Sequence, residues 1–82
     1  MVRISVEKET FETIGYGNTR NPQVHAIVWL HAPGGDMKLW EESSAAGFAS
    51  YSANQVLPAA QRYARKLAKL LNISPPTTWK KK

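Results

Sequence analysis

The chain has 82 residues, 43% hydrophobic and 21% charged, with no cysteine and a net charge of +5. One small domain is expected, burying about 60 to 65% of its unfolded surface. Disulfides and thiolate metal sites are excluded, and the longest apolar run, Ala26 to Leu30, is far short of the roughly 20 residues of a membrane span.

Val2, Ile4 and Val6 alternate with Arg3, Ser5 and Glu7, the period of a half-buried strand. The apolar phase slips over the polar segment Glu7 to Thr10 and resumes through Phe11, Ile14 and Tyr16, which predicts either a bulge in one long strand or a turn between two short ones. Gly15, Gly17, Asn18, Asn21 and Pro22 mark a loop. Val24 to His31 then reads as a central strand, apolar on both sides.

Pro33-Gly34-Gly35-Asp36 separates that strand from Met37 to Glu41. Taking Gly34 and Gly35 as the two turn residues of a hairpin predicts that Leu30 faces Leu39, Ala32 faces Met37, His31 faces Lys38 and Trp29 faces Trp40. One side of the hairpin is then aliphatic and the other aromatic and basic. Glu42 to Ser50, rich in Ser, Ala and Gly, reads as a loop or a short irregular strand around Phe48 and Tyr51.

Ser52 and Gln55 have the spacing of a capping box, so a long helix starts here, or nearer Val56 or Leu57 if Pro58 is to lie in its first turn. Asn72 and Pro75-Pro76 end it. The expected fold is α+β in the order β-β-β-α: a three- or four-stranded, mainly antiparallel sheet packed against one long C-terminal helix. Residues 1–74 form the single domain and 75–82 a disordered basic tail. The expected core is Val24, Ala26, Val28, Leu30, Leu39, Val56, Tyr63, Leu67 and Leu70.

On the helical wheel Arg62, Arg65, Lys66 and Lys69 share an arc of about 100° opposite the apolar face. All six acidic side chains lie within the first 42 residues, so the stripe has no acidic neighbour in its own half of the chain. Any surface helix needs a solvated face, and cations suit a helix C-terminus, but surface helices ordinarily mix Glu with Lys at i, i+4. Together with Lys80, Lys81 and Lys82, the stripe is the candidate polyanion site.

Trp29 and Trp40, with His31 and Lys38 on the same predicted face, are the candidate stacking or interface set. The alternative is that the tryptophans fill the core or simply stabilise the hairpin.

His25 and His31 lie about 20 Å apart along a strand and cannot share a metal ion. No catalytic residue, metal or cofactor is expected, since no phosphate-binding loop or nucleophile turn occurs.

The order Pro22, His25, a hairpin and a basic helix resembles the second half of double-stranded-RNA-binding domains. The Ser-Lys-Lys opening of their helix is replaced by Tyr51-Ser52-Ala53-Asn54, and the first segment reads as strand rather than helix, so no family is assigned.

The leading expectation is a cytoplasmic, non-enzymatic protein that binds DNA or RNA through the cationic helix face, with no membrane partner. The alternative is a protein-interaction module for an acidic protein surface, a homodimer among the possibilities, of the kind by which phages and mobile elements inhibit or regulate a nucleic-acid-handling complex.

Overall fold

The computed structural model describes residues 2–45 and 51–79. Among these residues four strands and one α-helix follow one another as β1 (Arg3–Ile14), β2 (Arg20–Ala32), β3 (Gly35–Ser43), α1 (Ala53–Leu71) and β4 (Thr77–Trp79), with a single 3₁₀ turn over Tyr16–Asn18 between β1 and β2. The sheet order is β3-β2-β1-β4. Three strands are antiparallel, as the alternation predicts, and β4 is added parallel to β1 through Ser5, Val6 and Glu7. The segment expected to be a tail therefore contributes an edge strand over Thr77–Trp79. Lys80, Lys81, Lys82 and Phe48 lie outside the described residues.

β1 and β2 pair without interruption from Arg3↔His31 to Ile14↔Arg20, so neither the bulge nor the early turn forms. The slip in apolar phase has another cause. From Lys8 to Glu12 the side chains of β1 are exposed, because the outer half of the ribbon projects beyond the helix and has no buried face to select a period. The molecule is accordingly elongated, 50 × 24 × 18 Å. The ribbon closes over Gly15 to Thr19, where Gly15 N–H donates to Thr19 O at 2.7 Å and Gly17 holds a φ of 67°.

The β2–β3 turn falls one residue earlier than the glycine pair suggests. Ala32 pairs with Gly35, leaving Pro33 and Gly34 at the corner. Proline fixes φ near the value a first turn position requires, and Gly35 takes the positive φ of 135° that side chains disfavour. Pairs then run Leu30↔Met37 and Trp29↔Lys38, and the next is Val28↔Trp40. Leu39 is thus the extra residue of a β-bulge. The bulge, rather than the shifted turn, moves Trp40 to the other face, because one inserted residue inverts the alternation of everything beyond it. Trp29 and Trp40 are on opposite faces of the sheet and do not pair.

α1 is 19 residues long and begins at the earlier of the two expected starts. Ser52 N–H donates to the side-chain Oε1 of Gln55 at 3.1 Å, the backward half of a capping box. Pro58 lies inside the helix on its exposed side, where water can reach the carbonyl that its missing N–H leaves unpaired. At the other end Asn72 is left-handed (φ 55°, ψ 48°). Its N–H reaches Lys69 O at 3.2 Å and the Ile73 N–H reaches Ala68 O at 3.0 Å, the two bonds of a Schellman turn.

The core joins Ile4, Val6, Ala26 and Val28 of the sheet to Val56, Ala60, Ala64 and Ala68 of α1. The helix contributes a line of small residues at i, i+4 that lets its backbone approach the sheet closely. Such a line advances about 40° per step, so by the last turn the buried direction has rotated by about 120°. This is why Leu70, expected in the core, is 74% exposed. Leu39, the bulge residue, also stands outside the core cluster, whereas Val24, Leu30, Tyr63 and Leu67 pack against its margin.

Candidate nucleic-acid interface

Arg62, Arg65, Lys66 and Lys69 are all exposed along the outer side of α1. The helix contains no acidic residue, and among the described residues none of the four is held in an ion pair. Their charge therefore faces solvent unneutralised by neighbours. Lys69 in the last turn also complements the negative end of the helix dipole.

The stripe runs between two depressions. On the β3 side a groove of about 390 Å³ is lined by Trp40, Tyr51, Ala59, Arg62, Tyr63 and Lys66. Its rings are ordered: Trp40 stacks on Tyr63 with centroids 6.1 Å apart and planes at 25°, and meets Tyr51 edge to face at 6.4 Å and 61°. On the far side a cleft of about 550 Å³ lies between Arg65, Lys69 and the aliphatic Ile73, Pro75 and Pro76. The Schellman turn at Asn72 builds this second cleft by turning Ile73 to Pro76 back alongside the helix. Lys66 lines both.

The face of the sheet away from α1 has different chemistry. It carries Trp29, His31 and Lys38, three of the four residues expected to form an aromatic and basic platform, and each is tied to an acceptor or its chain of bonds. Trp29 Nε1–H donates to Glu7 Oε1 at 2.9 Å, which provides a partner for a carboxylate only 4% exposed. Lys38 Nζ donates to Glu41 Oε1 at 2.7 Å, and His25 Nε2–H reaches Glu41 Oε2 at 2.7 Å. With Glu7, Glu9, Asp36 and Glu41 spread across it, this face opposes a phosphate backbone rather than attracting one.

Three strands are also linked there by a relay in which Ser5 Oγ lies 2.6 Å from His31 Nε2 and His31 Nδ1 lies 2.8 Å from Asp36 Oδ1. The carboxylate can only accept, so Nδ1–H donates to Asp36, and in a neutral imidazole Nε2 is then the acceptor for the serine hydroxyl. The bond order matches that of a hydrolytic triad. Ser5, however, is fully buried near the start of β1, so the relay orders side chains across the sheet and presents no nucleophile to solvent. Among the described residues no three His, Asp or Glu side chains converge as metal ligands would.

Glu41 is held below its ordinary pKa of 4.5 by the hydrogen bond from Lys38 first and that from His25 second, against the opposing effect of burial. A carboxylate whose folded pKa is depressed stabilises the fold above its unfolded pKa, and that contribution is lost as pH falls through the folded value. The urea midpoint is therefore expected to fall below about pH 4.5, more gently in Glu41→Gln, when unfolding curves of the two proteins are recorded side by side from pH 7 to pH 3.

Sequence periodicity thus locates the four cations of α1, and the structure adds the aromatic groove beside them. The sequence assigns Tyr63 to the core, on the apolar face of the wheel, and leaves Tyr51 in an aperiodic segment, so neither is read there as a site residue. Only the bulge at Leu39 brings Trp40 to them. The one signal in the sequence is the adjacency of Tyr63 to Arg62; Trp40 and Tyr51 come beside the cations of α1 only in space. Comparison of the chain with family models, with curated proteins and with solved structures finds no match.

Proposed function

We propose that the protein binds nucleic acid along the outer side of α1, with Arg62, Arg65, Lys66 and Lys69 contacting phosphates. The observation that carries this reading is the free exposure of four cations on a helix without a single acid, beside a groove of aromatic side chains. Cations that track a backbone together with rings that accept bases are the two components of nucleic-acid recognition. Titration of labelled DNA and RNA at several salt concentrations tests it. If four phosphates of a duplex are neutralised, log K is expected to fall against log salt with a slope of about −3.6, or about −2.8 on a single strand. Absence of binding to either polymer at 50 mM salt rejects the reading.

A different observation supports a protein partner as the second reading. Towards the far end of the β1–β2 ribbon Phe11, Ile14 and Tyr16 are 39%, 73% and 101% exposed, large apolar side chains spread over both faces and the tip of an arm that projects from the body. Such an arm suits insertion into a partner. Retention of one defined protein from a nuclease-treated lysate, lost on changing Ile14 and Tyr16 to Ser, favours this reading. Loss of every partner after nuclease favours the first.

A further inference from the structure

We propose that the groove between α1 and β3 receives an unpaired nucleobase, so that the ligand of the cationic stripe is a single-stranded nucleic acid. This rests on the nucleic-acid reading and deepens it. The groove measures about 390 Å³, near the lower limit of small-molecule pockets, which fits one planar ring system with its sugar rather than a longer segment. Its walls are the half-buried rings of Trp40, Tyr51 and Tyr63. Each ring has one side packed against the margin of the core and another in the groove. The mutual stacking of Trp40 on Tyr63 and the edge contact with Tyr51 hold the three in place before any ligand arrives, so little ordering remains to be done on binding.

Two further facts select a base over other flat apolar groups. Arg62 and Lys66 line the same groove, so a ring entering it brings an attached anion against two cations. Lys66 also lines the cleft on the other side of the helix, where Arg65 and Lys69 stand over the aliphatic Ile73, Pro75 and Pro76. A strand crossing α1 at Lys66 therefore finds phosphate partners on both sides of the helix and a stacking site in the groove. A duplex keeps its bases paired and stacked in its interior and can use the cations alone. Every base has a π face, so the groove predicts little sequence preference.

The test uses the intact protein and three ligands of equal length at 150 mM salt: an oligothymidylate, the same strand with abasic sites throughout, and a duplex. The abasic strand has the same backbone charge, so the base contribution is read without altering the protein. Binding of oligothymidylate is expected to exceed that of the abasic strand by roughly 5- to 150-fold, the range for one stacked base. It is also expected to quench tryptophan fluorescence. Tyr51→Ala is expected to narrow that ratio while leaving the affinity for the abasic strand unchanged, a pattern that loss of folding cannot produce. Equal affinity for oligothymidylate and abasic strand, or tighter binding of the duplex, overturns the inference and leaves the nucleic-acid reading in place. No binding of any of the three, repeated at 50 mM salt, removes both.

Discussion

Replacing Arg62, Arg65, Lys66 and Lys69 together by glutamate is expected to abolish polynucleotide binding, and replacing them by glutamine to weaken it by at least a hundredfold at 100 mM salt. The glutamate variant converts four attractive contacts into four repulsive ones and takes the net charge from +5 to about −3, so steering is reversed as well as contact. The glutamine variant is the more exact probe. It adds no negative charge, whereas a glutamate in place of Lys69, in the last turn of α1, faces the negative end of the helix dipole and destabilises the helix by about 0.3 to 1 kcal/mol. All four side chains are exposed and outside the core, so both variants are expected to fold, with circular dichroism as the control. Filter binding or fluorescence anisotropy reads the outcome. A glutamine variant that keeps its affinity and salt slope removes α1 from the interface.

The two tryptophans of the sheet are expected to respond to substitution independently. Trp40 packs on Tyr51, Tyr63 and the margin of the core, so Trp40→Ala should cost about 3 kcal/mol, the lower part of the range for a large aromatic because the ring is partly exposed. Against a total of about 5 to 15 kcal/mol this is a large fraction of the stability of so small a domain. Trp29→Phe acts differently. It deprives the buried Glu7 carboxylate of the indole N–H that reaches it, at a cost of about 1 to 3 kcal/mol. Because one ring is on the helix side and the other on the open side, the double variant should equal the sum of the two within about 0.5 kcal/mol. A facing cross-strand pair predicts coupling beyond that limit, so urea unfolding of the four proteins distinguishes the two arrangements.

That the pair does not exist shows where sequence reading of this chain runs out. The strands, their antiparallel order and the long C-terminal helix follow from alternation, from two turn-forming clusters and from the Ser52 and Gln55 spacing, all of them local. Facing register depends on a single residue at each irregularity. Pro33 rather than Gly35 takes the turn, and Leu39 is squeezed out of the ladder, and neither event leaves a period to detect. The core shows the same limit. Val56 is recognisable as buried, but the choice of Ala60, Ala64 and Ala68 over Leu70 depends on the angle at which the helix crosses the sheet, and this is a property of both layers together. β4 has three residues and no alternation of its own; only the open edge of β1 makes it a strand. The cations of α1 were legible because segregation of charge on a helix is itself periodic, whereas the aromatic groove brings together side chains from β3, α1 and the connection between them.

The pairing of β4 with β1 has a consequence for how the chain reaches this state. Ser5 meets Thr77, 72 positions away, so this contact can form only after nearly the whole domain has been synthesised. Until then the outer edge of β1 presents unpaired amide and carbonyl groups while the β-β-β-α body can already collapse behind it. With α1 docked, only Asn72 to Pro76 separate the body from β4, so closure costs little, but three residues of ladder also contribute little, which makes this strand the last to be added and the first to open. During that interval the nascent sheet is vulnerable to pairing with a neighbouring chain. The protein is therefore most exposed to misassembly not when it is unfolded but when it lacks only its final strand of about 10 Å.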